Sequence, residues 1–530
     1  MRGAGNATRR VFFNSTALTA MKMLGLLISF FVTPITIHQL GMADYGLWAI
    51  LSGMVSYFTL LDFGTGSTFM TQFALFYAAD NRQRIREVMT FGIVFYLGLG
   101  ILMVPVAWLV ASHLVRWFHV SAAESSMVVR VFWYTYAYLF VSRALGGFGT
   151  LLNAAQKMVF MSALGFACQG LNSAVLLIAL VLHLSLDSFV IANYLSLIVS
   201  IVVTVVAARR LVRGRLTCAP WHIRGDTVKG LLSFGGWMQL TNLANQVNME
   251  TDRILIGHFV GAGATGVYQL GNKLALMSRY LPLTMLSAML PAISEQYATH
   301  SEHKIRSSYI EGTRWLALVT FLVSGFLISA NDPLQVLWLG HSIPSLSFMT
   351  EALLVGYVTN NLTGVGTTIL RAVGTPRLEA YYMVVGAVLN ILLTVVLAPR
   401  FGVWGILWGT ALGMTLSSWY FLFAFHRYLN IRWWSEFLRY IVELAIAAVG
   451  AGLPTYEISR TIGELPNRIL ALTAVFGLGA FFTLTFLFLV TVLRFFQPRD
   501  VERLKRLVPF RFVDSRWSRL LLDVADRMVR

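Results

Sequence analysis

The amino-acid sequence predicts an all-α polytopic membrane protein with about fourteen transmembrane helices. Three observations predict it. The 530 residues are 57% hydrophobic and only 12% charged, too little charge to keep a soluble protein of this size in solution. Apolar runs longer than about 18 residues recur along the chain, and each is long enough for a bilayer core of roughly 30 Å. One pattern (His, two residues, Gly, four residues, Gly, an aliphatic, then Trp or Tyr) occurs twice, over His38–Trp48 and His258–Tyr268, at an offset of 220 residues. An apolar segment flanks each copy on both sides. Both therefore read as outer hairpin turns of two repeated helical bundles. The weak alternating segments of a transmembrane barrel, each about 10 residues, are absent.

In chain order the spans fall near 13–38, 45–79, 87–113, 126–153, 158–183, 187–209, 231–258, 265–296, 308–331, 348–370, 378–398, 403–426, 437–457 and 468–493. The first follows Arg9-Arg10 and is too long for the core of a cleavable signal. Several exceed the usual length and must tilt, kink or extend past the membrane. Pro34, Pro282 and Pro399 lie within or at the ends of spans, where kinks or helix ends are expected.

An even number of spans puts both termini on one side, and the basic residues identify it. The connections on that side carry Arg82, Arg84 and Arg86, Lys157, Arg209 to Lys229, Lys304 and Arg306, Arg371 and Arg377, and Arg427, Arg432 and Arg439. The opposite connections hold only Arg116, Arg130, Arg400, Arg460 and Arg468. This asymmetry assigns both termini to the cytoplasm. Residues 1–210 then form an N-terminal lobe of six spans, 211–230 a basic cytoplasmic linker, and 231–430 a C-terminal lobe of six more. Six helices per half is even, so the halves insert in parallel, related by an axis along the membrane normal. Residues 431–493 add two helices outside the repeat. Residues 494–530 form a basic amphipathic tail with Trp517, Leu520, Leu521 and Val524 interleaved, which either lies on the anionic inner leaflet or stays solvated.

The net charge of +17 therefore reads as topology and not as nucleic-acid binding. Cys168 and Cys218 are the only cysteines, one in a span and one in the basic linker, which argues against a disulfide or a thiolate metal site. Gly261-Ala-Gly-Ala-Thr-Gly266 matches a dinucleotide pattern, but it joins two spans where that pattern needs a strand and a helix. No catalytic constellation stands in a usable context, so neither an enzyme nor a cofactor is expected.

Ionisable residues inside spans carry more information, because a charge in hydrocarbon is costly and faces a bundle interior or a wet cavity. Lys22 lies about 18 Å along its helix from the Arg9-Arg10 end, at mid-membrane, and Arg279 is at similar depth. Arg143, Arg253, Lys273 and Arg314 sit nearer one face or the other. Acids are fewer: Asp62, Glu250, Asp252 and, near an end, Glu295. The set reads as a cationic cavity for an anionic ligand, against the alternative of internal ion pairs and snorkelling side chains. Gln239, Asn242, Gln246, Glu250 and Arg253 fall within one arc of about 80° on span 7, a polar stripe suited to sugar hydroxyls or to helix–helix hydrogen bonds. Asp62, followed by Gly64 and Gly66, marks either a bend with capped amides or a coupling site.

Gly41-x4-Gly46-Leu47-Trp48, Leu60-Leu61-Asp62-Phe63-Gly64-x-Gly66, Asp252-Arg253-Ile254-Leu255-Ile256-Gly257 and Gly261-x4-Gly266-Val267-Tyr268 resemble the polysaccharide transporter (Wzx-like) branch of the MOP flippase superfamily. The resemblance implies two six-helix lobes in a V, a cationic central cavity and alternating access. It implies a bacterial inner-membrane flippase for undecaprenyl-diphosphate-linked oligosaccharides, serving O-antigen, capsule or exopolysaccharide synthesis. Lys22 and Arg279 would hold the diphosphate or acidic sugars, and the stripe would meet the glycan. The partners implied are the lipid-linked oligosaccharide, membrane lipids and a glycan polymerase, with the coupling ion, H+ or Na+, left open. The two extra helices also resemble those of lipid II flippases, where they form a groove for the lipid tail. A MATE-type multidrug exporter should prefer acidic groups in its cavity, and a membrane-embedded glycan ligase or polymerase should carry a large external loop. Both are weaker alternatives.

Overall fold

A computed structural model describes residues 21, 24–25, 27–62, 65–212, 236–298, 302–433, 437–462, 467–497 and 500. Lys22, the linker from 213 to 230 and the tail beyond 500 lie outside the described residues, as do the side chains of Asp62 and Gln239. Among the described residues there is no strand. The helices are α1 (Leu27–Leu40), α2 (Met42–Ser56), α3 (Thr65–Ala78), α4 (Arg82–Leu102), α5 (Val104–Trp117), α6 (Ser125–Leu145) and α7 (Gly147–Ala154). They continue with α8 (Met158–Val181), α9 (Asp187–Val212), α10 (Gly236–Phe259), α11 (Ala262–Ala298), α12 (Glu302–Ser329) and α13 (Asn331–Leu339). The last six are α14 (Pro344–Asn361), α15 (Gly364–Val373), α16 (Arg377–Phe401), α17 (Val403–Tyr428), α18 (Arg439–Ile462) and α19 (Arg468–Val492).

The class is all-α and polytopic. Among the described residues eight helices are long and apolar enough to cross a membrane: α4, α8, α9, α12, α16, α17, α18 and α19. The first expected span, 13–38, lies partly outside the described residues and appears as the shorter apolar helix α1, while the remaining ones are broken or polar. The span expected at 45–79 is α2, a 3-10 turn over Tyr57–Asp62, and α3, which is where Asp62 and the glycines had suggested a bend. The span at 126–153 divides at Gly146, and that at 348–370 divides between Asn361 and Gly364. Helices α10 and α11 are as long as the others but carry charged side chains in mid-sequence. Pro34 and Pro282 sit inside α1 and α11, and Pro399 lies in the last turn of α16.

Local chemistry explains several ends. Asn81 caps α4 by accepting from the Arg84 amide at 3.1 Å, and Asn467 caps α19 by accepting from the Leu470 amide at 2.8 Å. Pro344 occupies the first turn of α14, where a missing N–H costs nothing. Gly374 ends α15 in the left-handed conformation.

The chain divides into two compact units: Met1–Gln269 with Met383–Thr410, and Leu270–Tyr382 with Ala411–Arg530. The first gathers α10 and the start of α11 with the helices before the linker. Its core lies among α3, α4 and α7, where Phe69, Phe73, Phe91, Tyr96, Phe148 and Leu151 are buried together. Lipid is as apolar as these side chains, so close packing, and not exclusion from water, holds such a core. In the second unit α18 and α19 pack on α12, with Phe326 and Phe482 in tilted contact at 6.2 Å between centroids.

Candidate transport site

The repeated motif builds a junction within the first unit. Gly41 and Gly261 stand 220 residues apart and turn α1 into α2 and α10 into α11, at φ 81° and 118°. Such backbone favours glycine. Five residues beyond each turn, Gly46 and Gly266 let the two hairpins meet. A Cβ on Gly46 would lie 1.8 Å from the Ala262 carbonyl oxygen, and one on Gly266 would lie 2.4 Å from that of Met42. The motif thus specifies the turn and also the contact between its two copies. Near the start of α2, Asp44 accepts a hydrogen bond from Ser185 at 3.2 Å, and burial pushes its carboxyl above the usual range.

Helix α10 packs along α2 below this junction. Gln246 donates to Ser56 Oγ at 2.6 Å, and Thr251 and Tyr57 share a hydrogen bond of 2.6 Å. Glu250 and Arg253 pair at 2.9 Å against Gly53. Three members of the polar stripe, Gln246, Glu250 and Arg253, therefore meet protein in this unit, while Asn242 is exposed.

A buried carboxylate lies behind the stripe. Asp252 is 0% exposed. It accepts from Thr410 Oγ1 at 2.7 Å and from the Tyr268 hydroxyl at 3.0 Å. Asn390 donates to Thr410 at 3.2 Å, and Thr394 donates to Asn390 at 3.3 Å. Residues from α10, α11, α16 and α17 thus surround one acid with neutral oxygen and nitrogen groups. Such a site holds a proton on the carboxyl or a small hard cation among oxygens. Asp252 was visible in the sequence as an intramembrane acid. Its partners were not, since Asn390 and Thr410 lie over 130 residues away.

The cations fall into separate settings. Arg143 is exposed at the break between α6 and α7, beside a cavity of about 310 Å³ that Ser142, Thr150, Phe69 and Tyr96 also line. In the second unit Lys273 is half-buried on α11. Arg279, two turns further, donates to Asn360 Oδ1 at 3.0 Å and lies 5.1 Å above the Tyr357 ring. Tyr357 is itself fixed by donating to Asn272 at 2.7 Å. Both partners are neutral, so among the described residues the Arg279 charge is oriented but not cancelled. Arg314 differs: it is 5% exposed, pairs with Asp500, and sits among the rings of Phe495, Tyr440 and Trp315. Asp500 also accepts from the Gln497 amide at 2.8 Å. Arg314 thus anchors the segment after α19.

An apolar groove of about 490 Å³ runs between α12, α14, α17 and α18 in the same unit, lined by Phe321, Val355, Trp419, Val449 and Leu453 among others. Among the described residues no group of three or more His, Cys, Asp or Glu is placed to hold a metal ion.

Comparison with known proteins matches this architecture to transporters. The family described as "Lipid II flippase MurJ" matches residues 61–476. Curated relatives include a putative O-antigen transporter of Shigella flexneri, 24% identical over 35% of this chain and 44% of its own length. A probable flippase of Haloferax volcanii is 27% identical over 34% of this chain and 38% of its own length. The chain thus spans less than half the length of these relatives. Among solved structures, lipid II flippase MurJ in an inward closed conformation aligns with a TM-score of 0.64 at 14% identity, covering 91% of this chain and 98% of that one. An inward-facing MATE-family multidrug transporter of the MOP superfamily aligns at 0.59 and 14% identity, covering 78% of this chain and 98% of that one. Matched over most of its length, the chain belongs to the lipid II flippase MurJ family, and it resembles the polysaccharide transporters of the MOP superfamily.

Proposed function

We propose that the chain moves an undecaprenyl-diphosphate-linked oligosaccharide from the inner to the outer leaflet of a bacterial inner membrane by alternating access, for O-antigen, capsule or exopolysaccharide synthesis. The observation that carries this reading is Arg279. Its guanidinium stands at the middle of α11, held by Asn360 and Tyr357, and Asn360 takes one of its five N–H donors. A planar fork with donors to spare suits a diphosphate. Lys22 is the second cation of this proposal, and Arg143 and Lys273 are further ones. Arg253 and Arg314 are engaged by Glu250 and Asp500, so their part is structural. Asn242 is the stripe residue left to meet glycan. The groove on α18 supplies apolar walls for the isoprenoid tail. The coupling ion, H+ or Na+, is taken by Asp252.

The family match favours a second reading, in which the cargo is lipid II itself. One experiment separates the two. In a strain lacking this protein, lipid-linked intermediates are labelled with a reagent confined to the periplasm. The first reading expects a full-length oligosaccharide carrier trapped on the cytoplasmic side and loss of surface glycan. Trapped lipid II with unchanged surface glycan selects the second. If every carrier still reaches the outer leaflet, both readings fail.

A further inference from the structure

Helices α8 and α9 form a hairpin that touches little protein. Within their apolar windows only 22% and 17% of residues are buried. One end of this hairpin carries basic residues: Lys157 directly precedes α8, and Arg209 and Arg210 lie in the last turn of α9. It is the end that the basic-residue asymmetry assigns to the cytoplasm. A groove of about 720 Å³ starts there, between α9, the end of α7 and the start of α8. Lys157 and Arg210 stand at its mouth, and Leu152, Phe160, Val202 and Val206 are among its walls. Phe160, Val202 and Val206 are 42%, 55% and 43% exposed, so the apolar part opens outward where hydrocarbon lies. From Arg210 to Val202 the groove follows α9 for about 12 Å, most of the roughly 15 Å hydrocarbon depth of one leaflet.

We propose that this groove binds an anionic phospholipid of the inner leaflet, with its phosphate between Lys157 and Arg210 and an acyl chain along Val202 and Val206. The argument is complementarity in both charge and depth. Two cations lie at interface level, and among the described residues neither has an ion-pair partner. Apolar walls continue from them toward the bilayer centre. A partner helix would fit the walls and leave both charges unmatched. A soluble phosphate would fit the charges and leave the walls empty. A basic pocket between helix ends at the cytoplasmic face is the kind of site that recognises acidic headgroups. The site lies wholly within the first unit and is independent of the identity of the transported cargo.

The test uses the full-length protein, delipidated in detergent and titrated with phosphatidylglycerol, with bound lipid counted by native mass spectrometry. Each cation near a membrane surface contributes modestly, so Lys157→Gln with Arg210→Gln together should weaken binding roughly 30-fold. Both side chains are exposed, and the double variant should fold. Val206→Trp keeps both charges and fills the groove, and it should weaken binding as well. Phosphatidylcholine should bind wild type at least tenfold more weakly than phosphatidylglycerol, and glycerol phosphate should not compete. Unchanged affinity in the double variant, or in Val206→Trp, would overturn the proposal. So would equal binding of phosphatidylcholine. Competition by glycerol phosphate would reassign the site to a free anion, and displacement by equimolar undecaprenyl phosphate would reassign it to the cargo tail.

Discussion

Replacing Gly46 by alanine tests the junction between the two hairpins. The added Cβ would stand 1.8 Å from the Ala262 carbonyl oxygen, 2.7 Å from its carbon and 2.8 Å from the Gly266 nitrogen. All three are backbone atoms, so no rotamer relieves the clash. Real Cβ contacts essentially never fall below 3.0 Å, so the hairpins must separate by at least about 1.2 Å. Overpacking of this kind costs about 1–3 kcal/mol. If the closed junction exchanges with an open one, that cost shifts the open fraction roughly 5- to 150-fold. Ile50 reports the shift, being 1% exposed on α2 and packed at Gly257. In a background with Cys168 and Cys218 replaced by serine, Ile50→Cys is labelled with a membrane-impermeant thiol reagent. Gly46→Ala should raise the labelling rate by a factor in that range. Gly263→Ala is the control: its Cβ would meet open space, and the rate should hold. A rate within twofold of the parent for Gly46→Ala, with the protein folded and inserted, would refute the junction as described.

Three further outcomes are expected. Arg279→Ala should cut surface glycan at least tenfold at constant membrane protein level, and Arg279→Lys, which keeps charge but loses the fork, should restore part of it; normal glycan in both variants removes Arg279 from the cargo site. Asp252→Asn keeps the size of the side chain, so melting in detergent should change little while the dependence of transport on H+ or Na+ disappears. An unaltered ion dependence measured in vesicles would exclude Asp252 from coupling. Arg314→Ala leaves a buried Asp500 unpaired and should cost about 3–5 kcal/mol, whereas Arg314→Met with Asp500→Leu should recover most of that in thermal melts. A single-variant loss below about 1 kcal/mol would mean the pair is solvated.

Much of the frame was legible because membrane solvation writes it into the sequence directly. Every span expected beyond residue 45 coincides with a helix or a pair of helices, since each had to satisfy its backbone internally over a bilayer's width. The hairpin motif was legible too, although its purpose was only half visible. Gly41 and Gly261 announce turns, but nothing local says that Gly46 and Gly266 touch each other. The site was harder to read, because charge in a span has two explanations that only tertiary partners separate. Arg253 has its partner three residues away, one turn along the same helix, where ion pairing between neighbours is expected. Arg314 has its partner in Asp500, beyond the last span, where no periodicity points to it. Asp252 looked like one acid among several, and the hydroxyl and amide groups that surround it are common residues on distant helices.

The two halves share a skeleton but not a chemistry. At 220 positions before Asp252 stands Val32, before Asn390 stands Gly170, and before Thr410 stands Val190. The turn glycines and the contact glycines survived in both copies, while the buried acid and its polar surroundings occur in one. A duplicated gene leaves every position with a spare, and spares are free to specialise once the shared frame is secure. Here the frame was kept twice because each hairpin needs the other as its packing surface. The acid was needed once, and the counterpart positions carry apolar or small, half-buried residues. Swapping the halves should therefore preserve how this chain folds and move where that buried acid resides.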